Sequence, residues 1–530
     1  MVFSGMLLAD SLFRIYLFPL YNNFLLKIGA NPVWSDLDVG FAPIVWLSFL
    51  AIILGSLTIV ITFASQNVPK LIDLYMDHWP SLLFVWWAAA CLIHAFTIKI
   101  FSEAGVEIVS SLIFNYHVLL AVSLVIGFPF VLSILKSTKT SNVIENLLEG
   151  SYAKFKRLAK KGSTGIISQE EHAKIQYQLF EELNQLMDLL VFVPYKEPKS
   201  QIIEGIGELL RNYVKLKPKF PDEFYKIDQQ IRDDISFRTL KSLLAEVEKS
   251  HTFYEQKSFR MIGNVYNVFL DNGDFDLSTL CVEQLSQVGK TAMECDDQEL
   301  IEVITVRLNT YFRFALKHGQ HNNEPRNLYN LVFHYGQFFS YLVEHRQVDR
   351  VKTCIGYFVF YGQQCFNAIP RARSLAFILD ILASEMQKLM QIIYQNNWER
   401  KLQQELLQKF LLFDNFQDMD KEIAIQFFSQ NHGIRLLHIG LALFYLNQNE
   451  KEFAETIAKD TLQDLLLMGE PLFSKTKDTI FARLQYSGAK FWEDTDRGNV
   501  NIYYTPYQNE IENAKSKLPL FWGLSSKIKG

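Results

Sequence analysis

The chain has 530 residues, of which 49% are hydrophobic and 21% are charged, and its formal net charge is −5. This length exceeds what one compact core holds and predicts roughly two to four domains. The slightly acidic balance argues against nucleic-acid binding, which needs a strongly basic face. The five cysteines form no CxxC pair and have no metal-ligand spacing with histidine, so we expect buried thiols in a reducing compartment and no metal or cofactor.

Residues 1–40 are apolar and aromatic, but Asp10, Arg14 and Pro19 interrupt them. A charged residue at the centre of a span costs ~2.5–3.5 kcal/mol on the insertion scale, so an unaided span is unfavourable. The segment also lacks the basic start and the small-residue cleavage site of a secretory signal. We expect an interfacial helix here, and the alternative is a fourth span over residues 6–26 that is paired inside the helix bundle.

Residues 41–136 form the predicted transmembrane region. They contain three apolar runs long enough to cross a hydrocarbon layer of ~30 Å, with tryptophan and tyrosine toward their ends, as the headgroup layer favours. The predicted spans are 43–64, 81–98 and 112–135.

Lysine and arginine beside the spans predict the orientation. Lys136, Lys139 and a basic run at 154–161 follow the third span. The loop between the first and second spans has Lys70, and the loop between the second and third spans has Lys99. The positive-inside bias therefore predicts an integral membrane protein with an external N-terminus and a cytoplasmic C-terminal domain.

Four residues of the spans are candidates for function. His94 is ionisable and lies within the second span, and Lys99 follows just beyond it. Such groups are functional candidates by default, although His94 could simply bind another helix while Lys99 extends to the interface. Gly127 and Pro129 predict a kink in the third span, which would suit a gate.

Residues 137–216 predict juxtamembrane basic and amphipathic helices, with a capping box at Ser168 and Glu171. The basic run could bind anionic lipid headgroups, or it could be a topogenic signal on a solvated helix. Its candidate headgroup contacts are Lys154, Lys156, Arg157, Lys160 and Lys161.

Residues 217–530 keep a helical period, and no run alternates as a strand would, so the predicted fold is all-α with a helical-hairpin-repeat-like cytoplasmic domain. Three hairpins are predicted, with turns near Asp296–Asp297, Arg346–Gln347 and Asn447–Asn449, at irregular spacing. Gly289, Gly336 and Gly440 precede these turns, and we expect each to let the paired helix of its hairpin pack closely.

No catalytic motif is found. Gly289–Lys290–Thr291 lacks the earlier glycine and the strand of a phosphate-binding loop, and the calcium-loop pattern that starts at Asn272 lacks its turn glycine. The acidic residues within 491–504 are more typical of a solvated helix end than of a metal site.

The sequence therefore predicts a membrane-anchored scaffold or sensory protein whose cytoplasmic helices bind a protein or peptide. The alternative is an oligomeric channel or pore-forming effector gated by that domain, and a membrane-bound enzyme is less favoured. The predicted partners are the lipid bilayer and a protein of unknown identity, with no nucleic acid, and homo-oligomerisation is left open.

Overall fold

A computed structural model shows an all-α chain, as the sequence predicts for its fold class, and its described residues also include a small β-hairpin. It divides into two compact units, Met1–Ser151 with Glu181–Ile202, and Tyr152–Phe180 with Ile203–Gly530. The structure describes residues 2–30, 38–67, 79–137, 139–162, 168–234, 237, 241–414, 422, 425, 431–466, 468–469, 471–495 and 498–517.

Apolar helices dominate the first unit. They are α1 (Val2–Leu12), α2 (Phe18–Lys27), α3 (Phe41–Asn67), α4 (Trp79–Glu103), α5 (Val109–Ile113) and α6 (Leu120–Ser137). A π-helical turn joins α1 to α2 at Phe13–Leu17, and another joins α5 to α6 at Phe114–Leu119, so each pair forms one rod.

Four of these segments are long and apolar enough to cross a membrane by length and composition. They are Phe3–Lys27, Phe41–Thr58, Leu83–Glu103 and Val109–Gly127. Each of the three predicted spans lies within a helical rod, and the N-terminal segment is the additional candidate.

The α1–α2 rod packs obliquely against the others. Asp10 contacts Ser111, the Phe13 ring lies 5.2 Å from the Phe114 ring, and Tyr21 contacts His117. Residue numbers therefore increase in the same direction along both rods. In a bundle of four spans that alternate in direction, the first and fourth spans would be antiparallel. From Asp10 to Tyr21 the α1–α2 rod rises about 16 Å along its axis, at ~1.5 Å per residue. From Ser111 to His117 the α5–α6 rod rises about 9 Å, so the two rods cross obliquely.

Side-chain packing places the α1–α2 rod at one end of the three-helix bundle. Met6 and Phe13 share a buried cluster with Trp46 near the start of α3, with Cys91 of α4 and with residues of α5 such as Leu112. In the described part of the chain, the second cluster, around Phe84 and Phe130, includes no residue of α1 or α2. Among the described residues, the α1–α2 rod thus packs at one end of the bundle, while its length and composition also make it a candidate span.

Three long helices contribute to both units. They are α7 (Thr140–Gly162), α8 (Gln169–Phe192) and α9 (Lys196–Leu216). The predicted cap of α8 forms, since the Glu171 backbone N–H donates to Ser168 Oγ at 3.2 Å.

The remaining helices belong to the second unit. They are α10 (Gln229–Arg232), α11 (Leu244–Lys249), α12 (Phe253–Asn272), α13 (Phe275–Glu294), α14 (Gln298–Asn322), α15 (Arg326–Glu344), α16 (Val348–Ala368), α17 (Ala376–Gln395), α18 (Arg400–Leu411), α19 (Gly433–Asn447), α20 (Lys451–Leu466), α21 (Leu472–Tyr486) and α22 (Glu510–Lys517).

These helices form a two-layered array of hairpins. Helices α13, α15, α17 and α19 pack side by side in sequence order as the first layer, and α12, α14, α16, α18 and α20 pack in order as the second. Each hairpin passes from the first layer to the second, which is the architecture of helical-repeat proteins.

One turn geometry recurs through the array. A non-glycine residue takes a left-handed backbone conformation in each turn: His251, Asp296, Arg346, Asn397 and Asn449. The intervals are 45, 50, 51 and 52 residues, so the repeat is regular at about 50. In each turn, that residue and the next donate their N–H groups to carbonyls of the preceding helix, in a Schellman motif.

The irregular spacing inferred from sequence is therefore wrong, because one hairpin, α17–α18 with its turn at Asn397, went unnoticed. Its first helix lacks the glycine that marked the others. The side chains of α17 instead fill its neighbours' glycine notches: Glu385 lies against Gly336, and Gln387 lies against Gly440.

The expected role of the glycines also needs correction. Gly289 lies against Phe338 of α15, and Gly336 lies against Glu385 of α17. Each glycine thus accepts a side chain from the first helix of another hairpin. It does not mainly serve the paired helix of its own hairpin.

The sequence-based expectation of no strands missed the β-hairpin. Strands β1 (Lys490–Thr495) and β2 (Gly498–Val500) pair antiparallel. Segments of six and three residues are too short for a clear alternating pattern to be recognised.

Gly289→Ala should destabilise the array. An added Cβ would lie 2.6 Å from Cε2 of the Phe338 ring and 3.4 Å from Cγ2 of Ile304, and neither neighbour has a flexible end to move away. We expect a loss of about 1–3 kcal/mol in the free energy of unfolding, measured by denaturant titration of the detergent-solubilised protein.

The matched control is Gly356→Ala in α16, where no neighbouring atom lies within 4 Å. Helix propensity alone should stabilise that variant, by up to about 1 kcal/mol. Equal shifts of the same sign in both variants would contradict the close packing of α13 on α15.

The oblique rod predicts a crosslinking pattern. With native cysteines replaced, Tyr21→Cys/His117→Cys should react with a short bifunctional thiol reagent, because the two side chains touch. Tyr21→Cys/Val125→Cys should not. If the α1–α2 rod were aligned along α5–α6 with Asp10 beside Ser111, residue 21 would lie at the level of residue 122, within one turn of residue 125. Preferential crosslinking to residue 125 would therefore contradict the oblique placement.

Candidate functional site

The outward stripe of α15 is mostly aromatic. Tyr329, Phe333, Gln337 and Tyr341 follow one another at four-residue spacing, and each is partly exposed. Because this spacing keeps side chains on one side of a helix, the four form a continuous ridge.

Contacts with neighbouring helices extend this ridge into a surface. The Asn330 amide donates to Thr279 Oγ1 at 3.0 Å, Lys290 Nζ lies 5.3 Å from the centre of the Tyr341 ring, and the Tyr329 and Phe377 rings stack at 5.9 Å. We define the first-layer face by these residues and by those at helical spacing from them: Thr279, Glu283, Gln287, Lys290, Tyr329, Phe333, Gln337, Tyr341, Phe377 and Lys388.

The first-layer face changes in character along its helices. Tyr329, Phe333 and Phe377 lie toward the start of their helices, and Phe377 is 44% exposed. Lys290 and Lys388 lie toward the ends that lead into the turns, and Lys388 pairs with Glu385 at 2.9 Å. The face therefore combines an aromatic part with a lysine-bearing part.

A polar cluster in the first unit contains His94. Its Nε2 lies 3.4 Å from Asp10 Oδ2, and its Nδ1 lies 3.1 Å from the Asn115 amide. Ser111 Oγ donates to the same Asp10 oxygen at 2.7 Å, and the Trp46 indole N–H donates to Asn115 Oδ1 at 2.7 Å. The contacts of Asp10 tie α1 to α4 and α5, which is a structural role for His94.

The other candidate functional residues of the spans, Lys99, Gly127 and Pro129, are not part of this polar cluster. Lys99 is half-buried near the end of α4. A Cβ at Gly127 would lie 3.5 Å from the Phe84 ring and 3.7 Å from the Phe49 ring, while Pro129 is exposed within α6. These are ordinary van der Waals distances, so the packing around Gly127 leaves room for a Cβ.

The basic run divides into separate surroundings. Lys156 and Lys160 are exposed and line one cavity, Arg157 pairs with Glu171, and Lys154 is half-buried. The side chain of Lys161 lies outside the described residues.

An ion cluster that the sequence did not reveal lies at the start of the array. Lys217, which is 10% exposed, bonds Glu255 Oε1 at 2.8 Å and Asp297 Oδ2 at 2.7 Å, and Glu255 is fully buried. Burial alone would lower the pKa of Lys217, but the two carboxylates outweigh it and raise that pKa. Asp297 also caps α14 by accepting from the Leu300 N–H, so this cluster fixes a turn.

The 491–504 segment has one described polar contact with α17. Tyr503 donates its hydroxyl proton to Asp380 Oδ2 at 2.7 Å. Side chains 492–499, including the acidic residues considered from sequence, lie outside the described residues. Among the described residues, no three His, Cys, Asp or Glu side chains are grouped so as to hold a metal ion.

Two ionisable groups, the partly buried Asp380 of α17 and the buried His438 of α19, have opposite pKa shifts. Burial raises the pKa of Asp380 to about 6, although its bond from Tyr503 opposes the shift. Burial lowers the pKa of His438 to about 3, helped by the nearby Arg435 charge.

These shifts predict opposing effects of pH on stability. Below pH ~6.5 the unfolded state protonates His438 and the native state does not, so stability falls with pH from ~6.5 toward 3. Between pH ~4 and 6 the native state protonates Asp380 and the unfolded state does not, so this term raises stability as pH falls. Each slope reaches at most ~1.4 kcal/mol per pH unit.

As pH falls from 6 to 4, the free energy of unfolding of His438→Leu should therefore increase relative to that of the wild type. The free energy of unfolding of Asp380→Asn should decrease relative to that of the wild type. Denaturant titrations at each pH measure both differences. Parallel pH profiles for the two variants and the wild type would show that neither group is buried as described.

No family model matches the sequence, and no curated protein matches it. Among solved structures, the chain is similar to a circular tandem repeat protein with novel repeat topology and enhanced subunit contact surfaces, at 12% identity and a TM-score of 0.37. The likeness covers 83% of this chain and 89% of that one. At this similarity, nothing about partners or activity follows from it.

Proposed function

We propose that the protein is a membrane-anchored scaffold whose first-layer face binds a peptide segment of a protein partner in the cytoplasm. The first unit holds the chain in the bilayer, and the second unit presents the face. Helical-repeat arrays commonly act in this way, because side-by-side helices form a broad surface without a catalytic centre.

The partly exposed aromatic ridge of α15 carries the proposal. Tyr329, Phe333 and Tyr341 keep apolar area accessible on a helix whose remaining surface is mostly buried. The stacked Tyr329 and Phe377 rings join that area to the next first-layer helix. Rigid aromatic side chains are typical energetic centres of protein interfaces.

The composition of the face suggests the chemistry of its partner. An apolar anchor would pack against Phe333 and Phe377, and acidic side chains beyond it would meet Lys290 and Lys388. The amides of Gln287 and Gln337 lie between these two parts and offer donors and acceptors to a peptide backbone. The proposed partner is thus a segment with an apolar anchor next to acidic residues.

The apolar helices of the first unit support membrane anchoring, and the excess of lysine after the third span supports a cytoplasmic second unit. In this arrangement three spans cross the bilayer, and α1–α2 lies at the outer interface. The channel alternative gains no support from Gly127, which lies against two aromatic rings.

A photocrosslinking amino acid at position 377, in cells, should give a discrete adduct with another protein. The same residue at position 360, where Phe360 is 51% exposed on the second layer, should give none. Phe333→Ala should reduce the adduct at 377 about fivefold or more through loss of the apolar contact. Lys290→Glu/Lys388→Glu should also reduce it, because those charges would repel an acidic partner.

Circular dichroism controls for the folding of each variant. Equal adducts at positions 360 and 377 would contradict a specific surface. An adduct with the mass of a second copy of the chain would replace the peptide partner with a homo-oligomer.

A further inference from the structure

The cavity beside Lys156 is basic. It has a volume of about 610 Å³ and lies between the last turns of α7 and the end of α9. Three lysines, Lys156, Lys160 and Lys219, line it together with Ala159, Leu216, Pro218 and Phe220. All three lysines are exposed, whereas Phe220 is buried. We name this cavity the basic pocket.

Lys217 and Lys219, two residues apart in one short segment, have different surroundings. Lys217 turns inward, where Glu255 and Asp297 neutralise it. Lys219, two residues later, lines the basic pocket instead. Lys156 and Lys160, one helical turn apart on α7, complete the set, so residues more than fifty positions apart in sequence meet at one site.

The lining of the basic pocket differs in charge from that of a neighbouring cavity. No carboxylate occurs among its described lining residues. A second cavity of about 380 Å³ shares Pro218 and Phe220 with it and has four acidic lining residues. These are Asp222, Asp296, Asp297 and Glu299. Lys217 and Lys249 also line that second cavity, so its charge is mixed, whereas the described lining of the basic pocket carries lysines alone as its charged groups.

We propose that the basic pocket binds a ligand with clustered phosphate groups. A phosphate monoester carries a charge of about −1.5 to −2 at neutral pH, so two of them balance three lysines. Lysine ammonium groups bind phosphate as compact point charges, without the planar fork by which arginine recognises a carboxylate. The apolar floor formed by Ala159, Leu216 and Phe220 suits the carbon ring or glycerol that would carry the phosphates.

Two sources could supply this chemistry: a polyphosphorylated lipid headgroup or a soluble polyphosphate. Lys156 follows the last apolar helix by 19 residues in sequence, which is compatible with a lipid. The test therefore contains both kinds of probe.

The experiment uses the full chain in phosphatidylcholine nanodiscs. Three probes are titrated separately by microscale thermophoresis: short-chain phosphatidylinositol bisphosphate, inositol hexakisphosphate and inorganic phosphate. We expect saturable binding of at least one polyphosphorylated probe, much tighter than that of inorganic phosphate. Preference for the lipid probe identifies a headgroup site, and preference for the soluble probe identifies a soluble ligand.

Lys219→Ala should weaken this binding about fivefold, the change that ~1 kcal/mol per lysine produces, and Lys156→Ala/Lys219→Ala about 25-fold. The matched control is Lys154→Ala, in the same basic run but not among the residues that line the pocket, and it should change binding less than twofold. Thermal denaturation should be unaltered in Lys219→Ala and in Lys156→Ala/Lys219→Ala, since both of these pocket lysines are exposed.

Absence of saturable binding to both polyphosphorylated probes would overturn the proposal. So would inorganic phosphate binding as tightly as the polyphosphates. An equal loss in Lys154→Ala and Lys219→Ala would show diffuse attraction to a basic helix and would also overturn it.

Discussion

Each inner first-layer helix has to bury the sides that face the first helices of the hairpins before and after it, and its back packs on the second layer. Notches and protruding side chains satisfy this requirement: Phe338 enters the space at Gly289, and Glu385 enters the space at Gly336. Fully burying a large apolar side chain contributes ~1.5–3 kcal/mol, so these buried sides supply most of the cohesion of such a helix. The side left over is the first-layer face.

The turn geometry keeps this stacking in register. Because the residues from Asp296 to Asn449 that adopt the left-handed conformation recur every 50 to 52 positions, each hairpin presents its helices at the same height as the last. Hydrogen bonds then join equivalent positions one repeat apart, as between Tyr361 and Asn309 or between Gln387 and Leu437. A surface built from several first helices depends on this register, since a shifted hairpin would separate Tyr329 from Phe377.

Periodicity in the sequence was sufficient to predict the helices, the apolar N-terminal segments and the hairpin plan. It was not sufficient for the regular repeat. A glycine in the first helix identified three hairpins. In α17 the long side chains of Glu385 and Gln387 instead pack against the glycines of neighbouring helices, and such side chains form no recognisable sequence pattern. The first-layer face was likewise hidden, because Phe333 and Phe377 read as core residues until their neighbours in space are known. Lys219 had no visible link to Lys156, because only the fold brings them to one cavity.

The central claim is that the first-layer face is occupied by a partner in the cell. Hydroxyl-radical footprinting, in cells and on the purified full-length protein, tests it most directly. We predict that Tyr329, Phe333, Tyr341 and Phe377 are protected from oxidation in cells and become reactive after purification. Tyr357 and Phe360 of the second layer, which are 37% and 51% exposed, should react equally in both conditions. Equal reactivity of the first-layer aromatic residues in both conditions would contradict the account.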